Sequence, residues 1–246
     1  MEPAVLREDM VDGLQHAMPD LRESVAVAMR DVPRHEFVPE RAYDNRESEH
    51  AGTRVLSPRT AARLLSALAA EAGDEVLVVG AGVGYTVAVL AELVGARHVH
   101  AVDITRQVVY DARRNLAAAG YDEALVDCRD GAQGLSEYAP FDRVLVEAAA
   151  VRPPAALVDQ LADGGRLVMP MGNGEQSLVA VEADGGDYDV VERFGPVAFG
   201  PLLVEGEQAG SRVRNRTVRE DREFAEQGYF AKTGWEHDWI DWEQQL

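Results

Sequence analysis

The stretch Val76-Leu77-Val78-Val79-Gly80-Ala81-Gly82-Val83-Gly84 constrains the fold more than any other part of the chain. An unbroken aliphatic run reads as a strand buried on both faces. Glycines directly after it let the backbone turn sharply and approach a ligand with no Cβ in the way. Short apolar runs and helical stretches then alternate. The runs are Val76–Val79, Val99–Val102, Ala124–Val126, Arg143–Val146 and Arg166–Met169, and the helical stretches lie at about 84–94, 105–119 and 153–162. Strand–helix–strand units in series predict a parallel, doubly wound sheet, so the fold class is α/β and Rossmann-like. Two later runs, Ser177–Glu182 and Val190–Val197, are separated only by Ala183-Asp184-Gly185-Gly186-Asp187. That spacing predicts a hairpin, so the sheet ends antiparallel.

The flanks divide the chain into three parts: 1–72, 73–204 and 205–246. Residues 3–30 read as helical, broken at Pro19-Asp20, and Val32–Pro39 is a Pro-bounded turn. The charged stretch 40–57 reads as an ordered loop. Residues 59–72 read as a helix with Ala61, Leu64, Leu65 and Leu68 on one face and Gly73 as its stop. Beyond 204 the chain is an acidic extension: a polar linker, a charged helix at Arg219–Gln227, then Trp235, Trp239 and Trp242 at helical spacing. Core packing of a C-terminal helix is the simplest reading of that stripe.

Charge narrows the partners. The net charge is −19, from 43 acidic against 24 basic side chains, and Lys232 is the only lysine. Such a surface repels phosphate backbones and anionic bilayers, which argues against nucleic acid and membrane as partners. An acidic surplus with almost no lysine points to a halophilic source, because molar salt screens charges over about 3 Å. No apolar run approaches the roughly 20 residues that span a bilayer. The opening residues show neither a basic n-region nor an apolar h-region, so a cytoplasmic location is expected. A single cysteine, Cys128, excludes an internal disulfide or a Cys-based zinc site. Cys128 itself reads as a small buried hydrophobe, and His35 and His50 as structural or surface residues.

The glycine turn predicts a cofactor site. A helix N-terminus after the turn offers unpaired N–H donors and the positive end of a dipole. A dinucleotide fingerprint needs glycine at position 85, which is Tyr85, so the spacing favours a nucleoside cofactor carrying a carboxylate. Asp103 ends the second strand, 19 residues after Gly84, where a carboxylate can grip both ribose hydroxyls. Asp130 and Gly131 follow the third strand, where an acid can accept from an adenine amino group. Gly80, Ala81, Gly82, Gly84, Asp103, Asp130 and Gly131 are thus the candidate cofactor-binding residues. All lie at the carboxyl ends of adjacent strands, where open α/β sheets bind ligands.

Other segments carry a family resemblance. They include Arg7-Glu8-Asp9-Met10-Val11, Val32-Pro33-Arg34-His35-Glu36-Phe37-Val38-Pro39 and Ala42-Tyr43-Asp44. Further on are Ala139-Pro140-Phe141-Asp142, the run Arg143–Ala149, and Gly164-Gly165-Arg166-Leu167-Val168 with Pro170 and Gly172. In these the chain resembles the protein-L-isoaspartate O-methyltransferases from about residue 7 to 204. The resemblance implies S-adenosyl-L-methionine as methyl donor and the α-carboxylate of isoaspartyl residues in damaged proteins as acceptor. A protein or peptide substrate follows; the oligomeric state does not.

The chain departs from the family pattern in two places. Where the family has Gly-Gln-Thr-Ile-Ser-Gln-Pro, this chain has Gly52-Thr53-Arg54-Val55-Leu56-Ser57-Pro58. Leu56 stands at the serine whose hydroxyl faces the transferred methyl, which leaves Thr53 and Ser57 as candidate catalytic hydroxyls. The family's acid near the end of the strand before the glycine loop is Val78 here. Two other readings therefore stay open: a methyltransferase of this fold with a different acceptor, and a non-catalytic cofactor-binding protein.

Overall fold

The computed structural model describes residues 2–184 and 187–204. The predicted tail helix and tryptophan stripe lie outside the described residues. In chain order the elements are α1 (Pro3–Ala17), α2 (Glu23–Asp31), β1 (Ser48–His50), β2 (Thr53–Val55), α3 (Pro58–Leu68), β3 (Val76–Val79) and α4 (Tyr85–Val94). Then come β4 (Val99–Asp103), α5 (Arg106–Ala119), β5 (Leu125–Cys128), β6 (Phe141–Val146), α6 (Ala155–Val158), β7 (Leu161–Met171), β8 (Gln176–Asp184) and β9 (Asp187–Val197).

The main sheet runs β5-β4-β3-β6-β7-β8-β9. Its first five strands are parallel, and β8 and β9 are antiparallel additions. The chain winds from β3 outward through β4 to β5, then returns to the other side of β3 for β6. That reversal opens a crevice at the carboxyl ends of β3 and β6, where such sheets take their ligands. Every residue of β3 is buried, as a central strand covered on both faces requires. Helix α4 is apolar nearly all round and almost wholly buried, which fits a helix enclosed on several sides. Side chains of α1, α2 and α3 belong to the same buried cluster as β3 and α4.

Three expectations change. The loop expected over 40–57 contains the hairpin β1–β2, closed by Ala51-Gly52 with φ of 49° and 77°. Paired positive φ values are the signature of a tight two-residue hairpin turn, and alanine at the first position hides it from the sequence. Helix α3 ends before Gly73, because Ala69 takes the left-handed conformation and donates to the Leu65 carbonyl. The helix expected over 153–162 shortens to α6, and β7 starts early because Leu161 pairs with Phe141 across a register shift.

Candidate active site

A cleft of about 280 Å³ opens over the carboxyl ends of the central strands. Its floor is the glycine turn. Gly80, Gly82 and Gly84 have φ of 93°, 52° and 92°, a region that side chains other than glycine rarely adopt. The turn is tied to β4: the Gly80 and Ala81 N–H groups donate to the Val102 carbonyl at 2.8 and 3.0 Å. Gly80 and Gly82 face the cleft, whereas Ala81 lies behind it in a small adjoining cavity. Gly84 opens α4 and packs against α5, where an added Cβ would sit 3.3 Å from Leu116.

Asp103 lines the cleft and is nearly buried. Its two oxygens accept from the Thr105 N–H at 2.9 Å and the Gly82 N–H at 3.1 Å. Burial raises its pKa, and these backbone donors oppose the rise. The Ile104 N–H and the Thr105 hydroxyl also oppose the rise, so the carboxylate predicted to grip a ribose is oriented by its own loop. Gly131 also lines the cleft, and a Cβ there would meet Val79 Cγ1 at 2.3 Å. Asp130 sits beside it and accepts from the Ala132 N–H at 2.9 Å, shaping the turn that carries Gly131.

The facing wall comes from the hairpin. Thr53, Arg54 and Leu56 line the cleft. Ser57 does not: its hydroxyl accepts from the Thr60 N–H at 3.2 Å and caps α3. Of the two candidate residues, Thr53 thus lies at the cleft and Ser57 caps a helix. Arg54 binds the Ala198 carbonyl and Glu47 and lies over the Phe199 ring at 5.1 Å. It joins the hairpin to residues 198–199, which continue into a third wall at Gly200–Leu203. Gln176 of β8 fixes that wall by pairing both backbone groups of Phe199, at 2.7 and 3.0 Å.

Sequence reasoning missed three residues here. Arg34 is buried, donates to the Ala42 carbonyl at 2.7 Å and the Leu56 carbonyl at 2.6 Å, and stacks 4.3 Å over the Tyr85 ring. It anchors the hairpin's exit from below, and the signal for it is the Val32–Pro39 segment, a turn and part of the family resemblance that by itself gives Arg34 no partner. Arg54 stands in the stretch that departs from the family pattern, and its partners lie far along the chain at residues 198–199. Glu147, directly after β6, brings a second carboxylate into the cleft. Burial pushes it up to about 7; the Thr86 hydroxyl opposes the shift, and the Asp103 charge adds to it. Cys128 is exposed rather than buried, because β5 is the outer strand of the sheet and its last residue has no neighbour outside it. His35 pairs with Tyr43 at 2.7 Å and His50 with Asp111 at 2.9 Å, both away from the cleft.

A doubly wound sheet with a glycine floor and an acid at the end of β4 defines a Rossmann-like α/β protein with a ligand cleft at its topological switch point. Comparison with known sequences gives the particular kind. The chain belongs to the protein-L-isoaspartate(D-aspartate) O-methyltransferase family, whose sequence profile matches residues 6–208. It is 37% identical over 207 residues to the protein-L-isoaspartate O-methyltransferase of Methanosarcina mazei, covering 80% of this chain and 83% of that protein. It is 41% identical over 181 residues to the Methanocella arvoryzae enzyme of the same name, covering 71% of this chain and 96% of that one. Among solved structures, a Plasmodium falciparum protein of this description, in complex with S-adenosyl-L-homocysteine, shares the fold. The TM-score is 0.70 at 22% identity, over 80% of this chain and 98% of that one.

Proposed function

We propose that the protein methylates the α-carboxylate of isoaspartyl residues in other proteins, and that Gly80–Gly84, Asp103 and Asp130-Gly131 bind the methyl donor. One observation carries the reading: a single cleft joins the glycine floor and Asp103 to the hairpin wall of Thr53, Arg54 and Leu56. The residues fit the donor. Gly131 lines the cleft with backbone alone, Asp103 presents a carboxylate to it, and Glu147 Oε1 is a buried acceptor with no hydrogen-bond partner among the described residues.

When bound, S-adenosylmethionine supplies an electrophilic methyl on a sulfonium. The chain's own residues need to do little acid–base chemistry, because a carboxylate acceptor is already ionised near neutral pH. Asp103 holds the ribose and Gly131 floors the base. The hairpin and the Phe199–Leu203 wall keep the site dry and set the acceptor's approach. Joining an anion to a cationic centre cancels charge, so a desolvated, well-oriented site favours it. Leu56 contributes shape but no donor, and Thr53 is the hydroxyl-bearing residue of the hairpin wall. The free thiol of Cys128 suits a reducing compartment, and we place the reaction in the cytoplasm.

The test is methyl transfer from labelled donor in molar KCl to an isoaspartyl peptide and to its aspartyl counterpart. Label on the isoaspartyl peptide alone is expected. Equal labelling of both, or of neither while donor still binds, moves the acceptor elsewhere.

A further inference from the structure

Glu147 is the cleft residue that the reaction as described leaves without work. Its N–H donates to the Val79 carbonyl at 2.8 Å, so it sits beside the start of the glycine turn. A Cβ on Gly80 would come within 3.4 Å of its own Cβ. The residue keeps some surface open to the cleft, yet Oε1 is shut off from solvent with no hydrogen-bond partner among the described residues. A buried acceptor left unpaired is costly, and natural structures seldom keep one without a purpose. The neighbouring strand offers no substitute: Val78 and Val79 are buried aliphatic residues.

We propose that Glu147, as an ionised carboxylate, accepts the α-ammonium of S-adenosylmethionine and of its demethylated product. The inference rests on the cofactor reading of the cleft. Strand order supports it. Across the carboxyl ends of β5, β4, β3 and β6 lie Gly131, Asp103, the glycine turn and Glu147 in that sequence. The ligand runs base, ribose, amino-acid chain. With the base at Gly131 and the ribose at Asp103, the amino-acid end falls on the β3–β6 side. Chemistry then selects between its two cationic centres. A sulfonium has no N–H or O–H to give an unpaired acceptor, whereas an ammonium has three donors. A carboxylate facing the reactive methyl would also compete as an acceptor for it.

The electrostatics set a pH signature. The Thr86 hydroxyl of α4 and the Asp103 charge of β4 act on Glu147; Arg54 of β2 lines the cleft and the small cavity behind it together with Glu147, and Arg34 and Tyr85 line that cavity too. Burial, with the Asp103 charge, lifts the carboxyl to about 7, so the ligand-free site is partly protonated near neutrality. An ammonium beside it favours the anion, and one proton leaves to solvent on binding. Affinity therefore falls as pH drops below about 7 and levels off above it.

Calorimetry tests this with S-adenosylhomocysteine and with its analogue bearing hydrogen in place of the α-amino group. For S-adenosylhomocysteine, wild-type affinity is expected to fall by up to about tenfold per pH unit below neutrality, with proton release measurable from buffers of different ionisation enthalpy. The analogue is expected to show neither effect. Glu147→Gln should weaken S-adenosylhomocysteine by roughly 10- to 100-fold, the loss of one charge-assisted bond, and leave the analogue unchanged. If that variant misfolds, the wild-type pH series and the analogue decide alone. Equal losses for both ligands, or a flat pH series, overturn the proposal. Failure of wild type to bind S-adenosylhomocysteine at all removes the cofactor reading together with this inference. Binding that ignores Glu147 removes only the inference.

Discussion

Leu56 stands in the hairpin wall of the cleft where the family pattern puts a serine, and its carbonyl is held by Arg34. A positioned donor at a reaction centre contributes on the order of 10²–10³ in rate. Leu56→Ser is therefore expected to raise turnover of an isoaspartyl peptide, and Thr53→Ala to lower it, with affinity for S-adenosylhomocysteine unchanged in both. A Leu56→Ser variant no faster than wild type would show that this position does not address the acceptor. Residues whose role follows from local chain geometry were legible before the structure. Gly80, Gly82 and Asp103 sit at strand ends, and strand ends show as changes of periodicity. Glu147, Arg34 and Arg54 were not legible as site residues. Each acts on groups distant in sequence: Arg34 on Leu56, Arg54 on Ala198, and Glu147 on the end of another strand at Val79. Nothing in a local pattern encodes such meetings.

The elements that frame the cleft are held by a few polar anchors. Ser57 caps α3 and Pro58 occupies its first turn, so helix and hairpin meet at a fixed angle. Ser57→Ala is expected to cost about 0.5–2 kcal/mol in denaturant unfolding and to leave binding of S-adenosylhomocysteine intact. A loss of turnover larger than the loss of stability explains would return Ser57 to the chemistry. Arg34→Met should leave the Ala42 and Leu56 carbonyls unpaired, at about 1–3 kcal/mol each, and speed amide exchange across residues 53–56. Unchanged exchange there would mean that the hairpin is held from elsewhere. The parallel strands were readable because full burial writes itself as unbroken aliphatic runs, as in Val76–Val79. The β1–β2 hairpin was not, because its short polar strands carry no alternation and its turn opens on alanine. The early start of β7 at Leu161 was hidden by Gly164-Gly165, which the strand accommodates beside its register shift.

At the scale of the whole molecule, the charge is strongly one-sided. A net charge of −19 makes the folded state repel itself at low ionic strength. The melting temperature is expected to rise steadily between 0.1 and about 2 M KCl as the screening length shrinks. A flat or falling melting temperature would contradict the reading of the composition as salt-adapted. Among the described residues no helix is long and apolar enough to cross a membrane. In the proposed function one cleft, floored by the glycine turn and flanked by Asp103, binds the methyl donor. Its most direct test is calorimetric titration of wild type and Asp103→Ala with S-adenosylhomocysteine in molar KCl. A single site is expected in wild type, weakened in the variant by about 1.5–3 kcal/mol, the range for hydrogen bonds to a charged group. Absence of binding by the folded wild-type protein, or equal affinity in the two proteins, would contradict it.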